Sequence, residues 1–300
     1  MENGKIQGIV VPLVTPLSSP DRVDEAAVER MVEHVIAGGV HAIFILGSTG
    51  EGPALTGEEQ RRMIRISAKA VRGRVPLLAG ISGASAASAV ELGRFAASEG
   101  ADAVVAAVPC YFPPDRAEIM AYYQLLVREI PLPLFVYNMP GLTHVSLDLD
   151  TVCRLAELPG ISGYKDSSGD LESFRAAVKR LGARSGFSLL IGPEELTAAA
   201  VAMGGDGGVN GGANLCPELY VGVYEAVKSG AVEKAEQLQR KVLDAVRSYG
   251  SPATATGVVR RLKYELARRG FIQNILASPS LPMREEMQEK TGECYAADCR

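Results

Sequence analysis

Short apolar runs rich in Val, Ile, Leu and Ala alternate with longer amphipathic stretches along most of this 300-residue chain. The strand candidates span residues 8–14, 41–46, 75–79, 103–108, 134–137, 161–165, 188–191 and 207–209. Between them the apolar period lengthens. Val28, Met31, Val32, Val35 and Ile36 follow the i, i+3, i+4, i+7, i+8 stripe of a half-buried helix. Strands that are apolar along their whole length suit a parallel sheet covered on both faces, since no side of them meets water. Strand–helix units repeated in this way are the pattern of a (β/α)8 TIM barrel, an α/β fold that uses about 250 residues as one domain. A doubly wound sheet shares the alternation and differs in strand order, which local pattern does not reveal.

Boundary signals agree with this division. Thr56-Gly57-Glu58-Glu59 predicts a capping box, in which a hydroxyl and a carboxylate three residues later each satisfy an orphan amide. Pro193 and Pro217 suit the first turns of helices, and Gly38, Gly39 and Gly73 suit helix ends. Gly204-Gly205-Asp206-Gly207-Gly208 predicts close helix–strand packing. Helical stretches at about 232–247, 257–268 and 281–290 follow the last strand. They predict a C-terminal helical extension, residues 231–300, on a barrel of residues 1–230 within the same structural unit.

Composition excludes several classes. Apolar residues make up 47% and charged residues 22%, the balance of a soluble globular protein. A formal net charge of −4 argues against a general nucleic-acid or anionic-membrane surface. No window approaches the ~20 apolar residues that span a bilayer. Met1-Glu2-Asn3-Gly4-Lys5 lacks the basic-then-apolar layout of a signal peptide, so a cytoplasmic location is expected. Cys110, Cys153, Cys216, Cys294 and Cys299 show no CxxC or zinc spacing, and reduced thiols are expected. His34, His41 and His144 form no metal-binding pattern, so no metal is expected.

In such a barrel the reacting groups gather at the C-terminal ends of the strands. Here those ends carry Gly47-Ser48-Thr49-Gly50-Glu51-Gly52, Pro109-Cys110-Tyr111, Tyr137-Asn138-Met139-Pro140, Lys165, Gly192-Pro193-Glu194-Glu195 and Val209-Asn210-Gly211-Gly212. Lys165 constrains the chemistry most. A lysine ending a buried strand loses hydration, which disfavours the ammonium and lowers its pKa. A partly neutral amine can condense with a ketone to give a Schiff base. The plainer reading lays the lysine stem on apolar surface and sends the head to water. Tyr137 fits equally an aromatic that caps the barrel core. Glu194 and Glu195 fit a helix first turn, where the dipole favours carboxylates. Hydroxyls and amides in the Gly47–Gly52 turn suit a carboxylate or phosphate, and a tight turn would need the same glycines. Convergence of these polar ends on one rim is what favours a site over the plainer readings.

On Gly47-Ser48-Thr49-Gly50-Glu51, Pro109-x-Tyr111, Tyr137-Asn138-x-Pro140 and Lys165-Asp166, the chain resembles the dihydrodipicolinate synthase / N-acetylneuraminate lyase family of pyruvate-dependent class I aldolases. The match is collinear from about residue 6 to residue 290. The resemblance implies a TIM barrel assembled as a homotetramer, a dimer of dimers. It implies that Lys165 forms the Schiff base, Tyr137 shuttles protons beside it, and Ser48 supplies the relay hydroxyl. Thr49 would help hold the pyruvate carboxylate, and Tyr111 would reach across a dimer interface to complete the relay. Gly192 and Val209 would line the pyruvate site, and Ser167, Glu194 and Glu195 would contact a substrate polyol. The implied partners are pyruvate, or another 2-oxo acid, and an aldehyde. The substrate is held covalently at Lys165, with no metal or organic cofactor.

Two positions depart from the family pattern. Leu142 stands where the synthases carry an arginine that grips a carboxylate, and leucine offers no bidentate cation. Pro193 replaces the companion tyrosine of the sialate lyases. The expected activity is therefore a class I aldolase or lyase that makes or breaks a C–C bond next to pyruvate. Its expected substrate is a 2-keto-3-deoxy sugar acid or N-acetylneuraminate. The alternative is 4-hydroxy-tetrahydrodipicolinate synthase, which condenses pyruvate with aspartate semialdehyde. A second alternative is a catalytically silent sugar-acid-binding relative, and the presence of both Lys165 and Tyr137 counts against it.

Overall fold

In the computed structural model, which describes residues 4–247 and 255–283, the chain opens with strand β1 (Gly8–Pro12). A short antiparallel hairpin follows, β2 (Leu17–Ser19) and β3 (Arg22–Val23), and then helix α1 (Glu25–Ala37). Next come β4 (Ala42–Ile45), α2 (Gly57–Val71), β5 (Leu77–Gly80), α3 (Ala86–Ser98), β6 (Ala103–Ala107) and α4 (Arg116–Glu129). β7 (Leu134–Asn138) leads through α5 (Pro140–Thr143) and α6 (Leu149–Ala156) to β8 (Ile161–Asp166) and α7 (Leu171–Leu181). β9 (Ser188–Ile191), α8 (Thr197–Ala202), β10 (Gly207–Val209) and α9 (Pro217–Lys228) complete the alternation. α10 (Val232–Arg247) and α11 (Ala255–Arg268) follow it.

All strands except the hairpin pair in parallel and close into a barrel in the order β1-β10-β9-β8-β7-β6-β5-β4. Closure answers the question that local pattern left open: the fold is the (β/α)8 barrel and not a doubly wound sheet. The hairpin was not anticipated, because its strands are too short to show a period. Leu17 and Val23 are buried there while Ser19 and Arg22 face solvent.

Strand residues alternate between two cores. Val10, Ala42, Phe44, Val105, Phe135, Tyr137 and Val209 pack inside the barrel. Ile9, Val11, Ile43, Ile45, Val104, Leu134 and Val136 face the helices. On β8 the same period sends Tyr164 to the outer layer and Lys165 inward. Gly163 leaves room for Phe135, whose ring would stand 2.3 Å from a Cβ there. At the seam between β1 and β10, a Cβ on Gly207 would meet the Gly8 carbonyl at 1.9 Å. The glycine cluster therefore serves close packing, as expected.

Most boundary expectations hold, with local corrections. Thr56 accepts the Glu59 amide, but the Glu59 carboxylate turns away to take the Val23 amide at 2.7 Å, so the box is half formed. The reciprocal box forms instead at Asp115 and Glu118. Pro217 opens α9, whereas Pro193 sits one residue before a 3-10 turn, Glu194–Leu196. Of the third C-terminal stretch, residues 281–283 are not helical and the rest lies outside the described residues. Cys110 and Cys153 are free thiols, whereas Cys216 is disulfide-bonded, which departs from the expectation of reduced cysteines. Among the described residues no helix is long and apolar enough to cross a membrane.

Candidate active site

Lys165 lies near the C-terminal end of β8 and is only 6% exposed. Its register partner on β7 is Tyr137, so one step of the sheet ladder sets the two side chains beside each other. Nζ stands 3.5 Å from the centroid of the Tyr137 ring and donates to Ser167 Oγ at 3.0 Å. The Tyr137 hydroxyl in turn lies 3.4 Å from Ser48 Oγ. Four polar side chains, from β7, β8 and two strand-end loops, thus form one connected set.

Burial pulls the Lys165 amine below its ordinary pKa, opposed by the neighbouring Tyr137 and Asp166. Burial alone would raise the Tyr137 phenol. The Lys165 charge and hydrogen bonding with Lys165, Ser48 and Ser167 bring it below its usual value. The amine's shift comes first from burial, whereas the phenol's depends on the charge of Lys165, so the two groups titrate as a coupled pair.

The strand ends are braced from outside the barrel. Asp166 Oδ1 accepts from Asn138 Nδ2 at 3.1 Å and from the Ser168 amide at 2.9 Å. The Ser167 amide donates to the Asn138 carbonyl at 2.8 Å. Gly192 lies so close to this turn that a Cβ would stand 2.0 Å from Ser167 Oγ. Burial pushes the Asp166 carboxyl up, while these donors oppose the shift.

Lys165 opens into a cavity of about 260 Å³ at the C-terminal rim of the barrel. Ser48, Thr49, Tyr137, Ser167, Gly192, Glu194, Glu195 and Val209 all line it, so the structure brings together every expected site residue but one. That one is Tyr111. It is 76% exposed and lies edge-to-face on Phe112, which is 80% exposed, at 5.0 Å between centroids. Within a single chain it takes no part in the cavity.

Glu194 is present but already engaged. Its Oε1 accepts the Gly212 amide at 2.7 Å and its Oε2 accepts the Tyr220 hydroxyl. It therefore braces the Gly211–Asn214 turn, and burial raises its carboxyl pKa. Glu195 is exposed and has no such partners among the described residues. Met139 and Gly211, which the sequence places at strand ends without a role, also line the cavity, as do Pro12, Phe44, Val246 and Val258, which sequence reasoning did not single out. The inward period of β4 could have found Phe44. Val246 and Val258 come from α10 and α11, which the strand-end rule does not reach. No arginine is among the described lining residues, and Lys165 is the one basic side chain among them. Among the described residues there is no cluster of three or more side chains able to hold a metal ion.

Comparison with known proteins agrees with this geometry. Residues 5–297 match the model of the dihydrodipicolinate synthetase family. A 4-hydroxy-tetrahydrodipicolinate synthase of Phenylobacterium zucineum is 36% identical over 282 residues, covering 93% of this chain and 92% of the relative. A dihydrodipicolinate synthase structure from Bacteroides thetaiotaomicron superposes with a TM-score of 0.90 at 40% identity, covering 96% of this chain and 97% of that one. A prophage protein of the same family from E. coli, solved in complex with pyruvate, gives a TM-score of 0.89 at 27% identity, covering 95% and 96%. With a closed barrel, an inward lysine and a phenol in register beside it, the chain belongs to the dihydrodipicolinate synthetase family of pyruvate-dependent carbon–carbon lyases and synthases.

Proposed function

We propose that this protein is a class I aldolase in which Lys165 captures pyruvate, or a 2-oxo acid that yields it, as a Schiff base. The carrying observation is the buried Lys165 amine, held 3.0 Å from Ser167 Oγ and 3.5 Å from the Tyr137 ring inside a cavity. The neutral amine adds to the C2 carbonyl, and the resulting carbinolamine loses its oxygen as water to leave an iminium. Tyr137 gives the proton that the departing oxygen needs and regains one through Ser48. In the cleavage direction the C4 hydroxyl gives its proton through Ser48 to the Tyr137 phenolate, and the C3–C4 electron pair moves into the iminium. An aldehyde leaves, and the remaining enamine is protonated at C3. Water then returns pyruvate and the free amine. Synthesis runs the same steps backwards.

Ser48 and Thr49 hold the carboxylate in this reading. Among the described residues their backbone amides have no intramolecular acceptor, which supports a role as donors. Gly192 and Val209 line the site. Ser167 orients the amine, and Glu195 is the carboxylate available to a substrate hydroxyl. The roles of the amine and its substrate carbonyl require no metal or organic cofactor. The aromatic pair at Tyr111 and Phe112 supports assembly with a second copy, within a homotetramer whose partner subunit brings Tyr111 to the relay.

Two readings of the substrate are each favoured by an observation. A 2-keto-3-deoxy sugar acid or N-acetylneuraminate is supported by Leu142, which replaces a carboxylate-gripping arginine, and by a cavity without a described arginine. Condensation with aspartate semialdehyde is supported by the names of the curated relatives, which favour it over sugar-acid cleavage. Treatment with pyruvate and borohydride should leave a stable adduct on Lys165, seen by peptide mass spectrometry. An unmodified Lys165 removes the whole proposal. Pyruvate release from a panel of 2-keto-3-deoxy acids, set against pyruvate consumption with aspartate semialdehyde, then separates the two readings. Turnover with the semialdehyde alone would overturn the first.

A further inference from the structure

An ion pair outside the cavity is buried as deeply as Lys165. Lys263, on α11, has no exposed side-chain surface and pairs with Glu51 Oε1. Its Nζ also donates to the Ile275 carbonyl at 2.8 Å, and Glu51 Oε2 accepts the Ala277 amide at 2.8 Å. Burial pulls the Lys263 amine down, and the Glu51 charge opposes this. Neither residue lines the cavity. Removing two charges from water is so unfavourable that such a pair adds little net stability, and its contribution is to fix geometry.

The Glu51 end of the pair belongs to the Ser48–Thr49 turn. The Glu51 amide donates to the Ser48 carbonyl at 3.1 Å, and the Gly52 amide donates to the Gly47 carbonyl at 3.2 Å. Glu51 itself has φ 54°, a left-handed conformation that a residue with a Cβ adopts only when its surroundings hold it there. The same helix approaches from a second side. Val258 lines the cavity, and a Cβ on Gly211 would lie 3.4 Å from Leu262 Cδ1 and 3.9 Å from Thr49 Oγ1. α11 thus touches the end of the site assigned to the carboxylate through both a wall and a clamp.

We infer that Glu51 and Lys263 are positioning residues that hold the Ser48–Thr49 turn in the shape that receives the carboxylate of the 2-oxo acid. The C-terminal extension is thereby part of the binding machinery. This rests on the reading of that turn as the carboxylate cradle. The test is borohydride trapping on the full chain as a function of pyruvate concentration, which reads a half-saturating concentration and a plateau rate separately. Glu51→Gln, close in shape but uncharged, should raise half-saturation about tenfold and change the plateau less than about threefold. The double variant Glu51→Gln with Lys263→Met leaves no buried unpaired charge. It should recover thermal stability relative to Lys263→Met alone and retain the raised half-saturation. Wild-type half-saturation in Glu51→Gln overturns the inference, whether or not the other variants fold. Recovery of both properties in the double variant also overturns it. Failure of the wild-type protein to trap pyruvate at Lys165 instead defeats the underlying reading of the site.

Discussion

In the proposed mechanism the neutral amine of Lys165 is the reacting species, and burial enlarges its share by lowering the pKa. The sign follows directly. Trapping of pyruvate should accelerate as pH rises through a value below that of an ordinary lysine, and level off above it. Tyr137 opposes the lowering, so Tyr137→Phe should shift this profile toward acid. The same substitution should reduce turnover by about 10²–10⁴-fold through loss of the phenolic proton, with the circular dichroism spectrum unchanged. A profile that shifts toward alkali, or that stays put, would remove Tyr137 from the electrostatics of the amine. Lys165 and Tyr137 were legible because strand-end position and residue type together limit what they can do. Glu194 was not. Its partners Gly212 and Tyr220 lie 18 and 26 residues further along the chain, and only folding joins them.

The strands were the most legible elements, because inward and outward positions are both apolar and both buried. Boundaries fell within a few residues of expectation, as at β9 and β10. The hairpin β2–β3 and the reversal of the Glu59 side chain depend on contacts between segments far apart, and no local pattern carries them. One element-level prediction concerns the barrel seam. Gly207→Ala would drive a Cβ against the Gly8 backbone, and neither strand can yield without breaking the ladder. It should lower unfolding free energy by about 1–3 kcal/mol, read from the urea midpoint. Gly83→Ala, with nothing within 4 Å of the added carbon, should stay within about 0.5 kcal/mol of wild type. Equal effects at both positions would mean that the seam accommodates the methyl.

For the molecule as a whole, the cavity uses barrel strands and C-terminal helices together, with Val246 and Val258 forming part of its wall. Sequence division into a barrel and an extension therefore describes the order of the chain better than the construction of the site. The exposed Tyr111–Phe112 pair belongs to the same scale. If a second copy covers it, native mass spectrometry should report a tetramer, and Phe112→Asp should shift the population to smaller species. A Phe112→Asp protein with unchanged mass would place the subunit contacts elsewhere. Tyr111 was legible as a motif residue, but its surroundings in an assembly are not a property of one chain.

The ladder between β7 and β8 has an implication for redesign. Neighbouring strands keep a spacing of about 4.8 Å whatever joins them, so the distance from phenol to amine is insulated from the rim loops. New aldehyde preferences can then be sought at rim positions other than Ser48, Thr49 and Ser167, while the pairing of amine and phenol is inherited intact.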